Sequence, residues 1–160
     1  DMSLLLRPSM LDDLGLIPAV QWQAREVSRT SNVYVQVSAD PIPEDIPDEH
    51  KTCIYRVVQE ALRNAVRHSK AKSVRVRLSR DAEHLVLTIQ DDGHGFVPSR
   101  DKGLGLLGIQ ERVTHLHGKF SLESTAGEGT SIRVELPLAF DGNRLNDEEP
   151  ASQADWYSNP

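Results

Sequence analysis

A chain of 160 residues with 38% hydrophobic and 26% charged side chains is long enough for one domain with a true core, and its balance is ordinary for a globular protein. The net charge of −6 is concentrated in the last twenty residues, which hold five acids and one base, so the body is nearly neutral and gives no support for a nucleic-acid footprint. The single cysteine, Cys53, excludes an internal disulfide or a cysteine-based metal site, and no stretch approaches the roughly 18 apolar residues of a membrane span, so the chain reads as cytoplasmic.

From the N-terminus, Ser3 to Thr30 reads as helix in two pieces, interrupted at Pro8 and resuming around Pro18. Opening on so short a helical remnant suggests a piece of something longer. Val33, Val35 and Val37 alternate with polar residues and predict a half-buried strand, followed by an extended loop at Pro41, Pro43 and Pro47. A long helix should run from Asp48, as N-cap, to Ser69. Val74, Val76 and Leu78, then Leu85, Leu87 and Ile89, alternate with polar neighbours and predict two strands joined by a turn at 80–83. A glycine-rich turn, Asp91 to Phe96, and a polar loop, Val97 to Lys102, come next. Gly103 to Gly108 opens a second helix whose buried side is Leu106, Ile109, Val113 and Leu116. Lys119 to Ser124 and Ser131 to Pro137 close the fold as a pair of strands, and Asp141 to Pro160 reads as an acidic, disordered tail. Runs of strands with interspersed helices indicate an α+β layer fold, with one polar sheet face, including Arg75 and Arg77, and helices on the other.

Chemistry is concentrated around the long helix. Ile54, Val57, Val58, Ala61, Leu62 and Ala65 make its apolar face, while Glu60, Asn64 and Arg67 line up at i, i+4 and i+7 on another. Alone, such a stripe reads as solvated surface. Downstream, Gly93 and Gly95 follow Asp91 and let the backbone turn and approach a ligand. Gly103, Gly105 and Gly108 stand at a helix start, where free N–H groups and the dipole favour an anion. Asp91, at a strand end, can accept a hydrogen bond from an exocyclic amine such as that of adenine, and the Thr130 hydroxyl can reach the same base directly or through a water. The glycines fit neither a dinucleotide-binding fingerprint nor a Walker loop.

Taken together, Glu60-x-x-x-Asn64, Asp91-x-Gly93-x-Gly95, Gly103-x-Gly105-x-x-Gly108 and Gly127-x-Gly129-Thr130 occur in an order that resembles the ATP-binding domain shared by DNA gyrase, heat-shock chaperone ATPases, histidine kinases and mismatch-repair ATPases. The resemblance covers about Val33 to Leu138. Val58-Gln59-Glu60-Ala61-Leu62-x-Asn64-Ala65-x-Arg67-His68, Gly105-Leu106-x-Gly108-Ile109-x-Glu111-Arg112-Val113 and the short loop at 97–102 are most similar to sensor histidine kinases of the nitrate-sensor type. Leu6-Arg7-Pro8 through Asp13-Leu14-Gly15-Leu16 resembles the end of that group's dimerisation helix and its connector.

The resemblance implies a two-layer α+β sandwich of the Bergerat type, with a mixed, mostly antiparallel sheet and helices on one face. Residues 1–30 would be the end of the dimerisation helix and connector, 31–140 the ATP-binding catalytic domain, and 141–160 the tail. ATP and Mg²⁺ are the implied cofactors. Asn64 would ligate Mg²⁺ through its amide oxygen, and Glu60 would hold a metal-bound water or polarise the attacking group. Arg67, where many relatives have Lys, would contact phosphates; His68 would flank them or merely end the helix. Asp91 would read the adenine amine with Gly93 and Gly95 letting the base approach, Thr130 would support it, and Gly103, Gly105, Leu106 and Gly108 would close over the phosphates.

Of the six histidines none is followed by an acid, so the phosphoacceptor expected in this group lies outside the chain. The implied partners are the dimerisation and phosphoacceptor domain of the same kinase, in a homodimeric parent, and a response regulator. Two alternatives remain: a Ser/Thr kinase of the anti-sigma type or a hydrolysing ATPase of the same superfamily, and a non-enzymatic nucleotide-binding interaction module.

Overall fold

The computed structural model describes residues 8–43, 45–95 and 105–138. The elements run α1 (Ser9–Leu14), α2 (Leu16–Thr30), β1 (Tyr34–Ala39), α3 (Asp48–Arg67), β2 (Ser73–Arg80), β3 (His84–Asp91), α4 (Leu106–His115), β4 (Lys119–Thr125) and β5 (Gly129–Pro137). The strands form one sheet in the order β1-β2-β3-β5-β4. Only the β1–β2 pair is parallel, with α3 as its crossover; the other pairs are antiparallel. The expected α+β architecture is the observed one.

Alternation decides which side of the sheet is covered. Val74, Val76 and Leu78 of β2, Leu85, Leu87 and Ile89 of β3, and Ile132, Val134 and Leu136 of β5 are all buried against the helices. Their sequence neighbours Arg75, Arg77, Gln90 and Arg133 are exposed on the other face. Arg77 is held there by the Ser38 hydroxyl at 2.7 Å and Asp40 at 3.3 Å. From the helix side, Ile54, Val57, Val58, Ala61, Leu62 and Ala65 are all buried, as the helical spacing predicts. Each such Val, Leu or Ile contributes about 1.5–3 kcal/mol, which is what clamps α3 to the sheet. Two polar links fix its N-terminal end and its middle. His50 Nε2 lies 2.8 Å from the Pro137 carbonyl oxygen, and Gln23 Nε2 donates to the Tyr55 carbonyl at 3.2 Å, tying α2 to α3.

Three local expectations shift. The break between the N-terminal helices falls at Gly15, because Pro18 lies in the first turn of α2, where its missing N–H costs nothing. Pro47, not Asp48, is the N-cap of α3; Asp48 is its first helical residue, where its charge still favours the positive end of the dipole. At the other end α3 stops at Arg67 with His68 as C-cap, because Lys70 turns the chain with a left-handed φ of 49°. The expected end of a dimerisation helix before Pro8, the polar loop at 97–102 and the acidic tail lie outside the described residues. No described helix is long and apolar enough to cross a membrane.

Leu87 is fully buried in β3, the central strand of the sheet. Leu87→Ala should cost about 2–5 kcal/mol in denaturant unfolding, whereas Arg75→Ala on the open face should change stability by no more than about 0.5 kcal/mol.

Candidate functional site

The sheet register builds a polar row at one end of an apolar face. Asp91 pairs with Thr130, and Thr130 with Ser124, one step beyond the apolar row Ile89–Ile132–Leu122. The row lies beside the C-terminal half of α3. Ala61, Asn64 and Ser69 from the α3 side, Asp91 and Thr130 from the strands, and Leu106 from α4 line one narrow cavity. The space between them is about 10 Å³, room for roughly one water.

Each predicted side chain has a distinct setting. Asn64 is buried, only 6% exposed, despite lying on the polar stripe of α3. Glu60, one turn earlier, is half-buried and packs against Gly105. Burial pushes its carboxyl above the usual range, and the neighbouring Arg63, His68 and Arg67 pull the other way. Arg67 and His68 are exposed at the end of the stripe, outside the cavity. Asp91 Oδ1 accepts from the Gly93 N–H at 2.9 Å. Burial raises the Asp91 carboxyl, opposed by hydrogen bonds from the Gly93 and Thr130 backbones and augmented by the charge on Asp92. A carboxylate in such a place gains by taking a donor from a ligand.

Two of the glycines are required by geometry. A Cβ on Gly93 would stand 2.5 Å from the Ser69 carbonyl oxygen, so the turn after Asp91 packs directly on the end of α3. The His94 N–H donates to that same carbonyl at 2.7 Å, while the His94 side chain faces solvent. Gly105 is the N-cap of α4 with φ 75°, and a side chain there would collide with the Glu60 carboxylate. Gly95 sits against the β4–β5 turn, where the Gly127 N–H donates to the His94 carbonyl. Gly108, in the first turn of α4, faces open space. Gly103 lies outside the described residues.

Sequence reasoning missed Ser124 and Ser69. Ser124 Oγ is 3.0 Å from Thr130 Oγ1, and Ser69 is 1% exposed between Asn64 and Gly93. The alternation Phe120–Leu122–Ser124 points Ser124 to the inner face, but only the register with Thr130 gives it a partner. Asp92, beside Asp91, does different work: its carboxylate accepts from the Lys72 and Ser73 N–H groups and the Ser73 hydroxyl, clipping β2 to the turn. A larger depression, about 450 Å³, lies at the same strand ends toward the open face; Asp91 and Thr130 border it too, together with Ser73, Arg75, Gln90 and Ser131. No residue of α3 reaches it.

Among the described residues no group of three or more His, Cys, Asp or Glu could hold a metal ion. The donor set of Asn64 and Glu60 suits only an oxygen-seeking ion that keeps most of its ligands as water or phosphate.

A family model described as "Histidine kinase-, DNA gyrase B-, and HSP90-like ATPase" matches residues 49–140. The chain is 32% identical over 142 residues to the signal transduction histidine-protein kinase/phosphatase DegS of Bacillus subtilis, covering 84% of this chain and 37% of that protein. It is 33% identical over 141 residues to the oxygen sensor histidine kinase NreB of Staphylococcus carnosus, covering 86% and 41%. The chain thus spans about two fifths of the length of these relatives. Among solved structures, the blue-light activated histidine kinase of Erythrobacter litoralis EL346 superposes with a TM-score of 0.64 at 25% identity, over 80% of this chain and 43% of that one. The histidine kinase AdeS of Acinetobacter baumannii shares the fold at a TM-score of 0.62 and 16% identity, over 86% and 77%. Motif order, the sheet and helix layers and the matched region agree: the chain belongs to the histidine kinase-, DNA gyrase B- and HSP90-like ATPase family.

Proposed function

We propose that this chain is the ATP- and Mg²⁺-binding catalytic domain of a two-component sensor histidine kinase. It would present the γ-phosphate to a histidine on a dimerisation domain of the same protein, for relay to a response regulator. The observation that carries this reading is the pairing of a buried Asn64 amide with a half-buried Asp91 carboxylate across one narrow cavity. The names of the two curated relatives support the kinase assignment.

In this reading Asp91 accepts a hydrogen bond from the adenine amine and Thr130 supports the base. Asn64 offers its amide oxygen to Mg²⁺, which when bound supplies charge neutralisation at the phosphates. Glu60 positions a water in that shell. Arg67 and His68, exposed at the end of α3, face the phosphate edge, and the N-terminus of α4 adds backbone N–H groups. Catalysis is then mainly positioning and electrostatic stabilisation, with water excluded as Gly105 and Leu106 close on Glu60. A second reading, a hydrolysing ATPase, draws on Glu60: a carboxyl raised by burial suits a general base. Phosphate release without any acceptor, at a rate matching transfer, would favour it; an acid-labile phosphoprotein favours the kinase.

Asn64→Ala or Asn64→Asp should abolish phosphotransfer to a separately supplied dimerisation domain; transfer at the normal rate would remove Asn64 from the metal site. Nucleotide affinity, measured by calorimetry, should fall as pH drops through the Asp91 value, at a midpoint above the ordinary 3.8 because the ionised carboxylate is the acceptor. Asp91→Asn should weaken ATP binding by about tenfold or more and abolish that pH dependence. It should not lower the melting temperature at neutral pH, because a carboxyl whose folded value is raised stabilises the fold only at low pH and loses that contribution as pH rises through the folded value. Gly108→Ala should melt no lower than the parent, since its Cβ meets nothing, and helix propensity favours Ala by about 0.8–1 kcal/mol. Its nucleotide affinity should nonetheless drop, because the methyl group occupies phosphate space.

A further inference from the structure

We propose that β4 is a self-pairing edge: two copies of this chain join antiparallel along Lys119 to Glu123, about a two-fold axis at Ser121. The pairing is independent of the nucleotide reading above and concerns a different surface.

β4 closes one end of the strand order and β1 the other. The two edges are treated differently. At β1, the Ser28 hydroxyl of α2 accepts the Val35 N–H at 3.1 Å, so a helix side chain takes up a backbone donor of that edge. At β4, among the described residues, no backbone hydrogen bond reaches 119–123 from any side but β5. Such an edge is a template for another strand. Its side chains alternate: Lys119, Ser121 and Glu123 are exposed on the open face, while Phe120 and Leu122 are half-buried and pack on the core from the other.

Charge on an edge strand ordinarily keeps copies apart. Here the two charges are opposite in sign and stand two residues either side of Ser121. Turning a second copy about Ser121 sets Lys119 against Glu123 of the second copy, and Glu123 against Lys119 of the second copy. On the inner face the same rotation sets Phe120 against Leu122 of the second copy. Directly opposed residues in an antiparallel pair bring their Cβ atoms within about 5 Å, so each pair is in contact range. Neither charge is otherwise engaged. Glu135, the neighbour of Lys119 on β5, is held by Arg133 at 2.9 Å, and Glu123 has Ser131 beside it. Among the described residues neither Lys119 nor Glu123 has an ion-pair partner.

Other registers lack this match. An axis at Leu122 would set Glu123 against Ser121 and Lys119 against Thr125, leaving both charges unanswered. An axis between Ser121 and Leu122 would bring open-face side chains against inner-face ones. The arrangement about Ser121 is isologous, the geometry of a closed two-fold dimer, and it joins the two five-stranded sheets into one. A seam of residues 119–123 from each copy falls short of the roughly 20–30 residues a side of a stable interface, so the association is weak and concentration-dependent.

The test is sedimentation equilibrium on the full chain at concentrations rising into the millimolar range, with melting curves alongside. The unsubstituted chain should show a monomer–dimer equilibrium that weakens with added salt. Lys119→Glu and Glu123→Lys each set like charges across the seam twice and should weaken association about tenfold or more. Lys119→Gln, which only removes a charge, should weaken it about threefold. Both side chains are exposed, so every variant should melt with the parent. Mixing the two reversal variants in equal amounts should restore association, because each then meets the opposite charge in the other. The double variant Lys119→Glu/Glu123→Lys should restore it within one chain. A chain that stays monomeric at every concentration would overturn the proposal and leave the edge to an extended peptide of another protein. So would a dimer indifferent to the single reversals, or one that the mixture fails to restore.

Discussion

The backbone of Gly93 rests on Ser69 with no space for even a methyl group between them. That contact sets the distance between the end of α3 and the turn after β3, and so the separation of Asn64 from Asp91. It is reinforced by the His94 N–H bond to the Ser69 carbonyl and by Ser69 and His68 both donating to the Asn64 carbonyl. The helix side and the strand side of the cavity are thereby one rigid piece. Neither could be adjusted far without moving the other, since a Cβ on Gly93 would meet both the carbonyl and the Cβ of Ser69.

The electrostatics of the site follow from its position at the edge of a core. Apolar rows of the sheet run up to Asp91, Thr130 and Ser124 and stop there, so these polar groups border low-dielectric surroundings on one side. Burial raises the carboxyls of both Asp91 and Glu60, but their company differs. Among the described residues Asp91 meets backbone donors at Gly93 and Thr130 and no base, which suits recognition of a neutral donor. Glu60 has Arg63, Arg67 and His68 about it, and stands where the polar stripe opens to solvent. In the proposed reading one carboxyl reads a base and the other works among phosphate charges.

Much of this was legible in the residues. Period-two alternation placed β2, β3 and β5, and the 3.6-residue period gave the buried face of α3, because both patterns record burial directly. The order of the glycine boxes brought Asn64, Asp91 and Thr130 to one pocket, as the structure also does. What was hidden depends on approach between distant segments. Ser124 becomes part of the site only through its register with Thr130, and Ser69 only through Gly93. The break at Gly15 was hidden by two prolines that looked like stronger punctuation. Arg67 and His68 keep their places on α3 but lie outside the narrow cavity, a distinction that helical spacing cannot make.

Among the described residues the sheet is covered by helices on one side only. Along β2 and β3, residues adjacent in sequence stand on opposite sides: Val74 is buried beside exposed Arg75, and Ile89 is buried beside exposed Gln90. Neighbours in the chain therefore answer to unrelated constraints, one to the pocket and one to the surroundings. The outer set of Gln36, Arg75, Arg77, Gln90 and Arg133 can be rewritten in charge or size while the inner set stays fixed. A domain built this way can change the company it keeps without retuning the chemistry it contains.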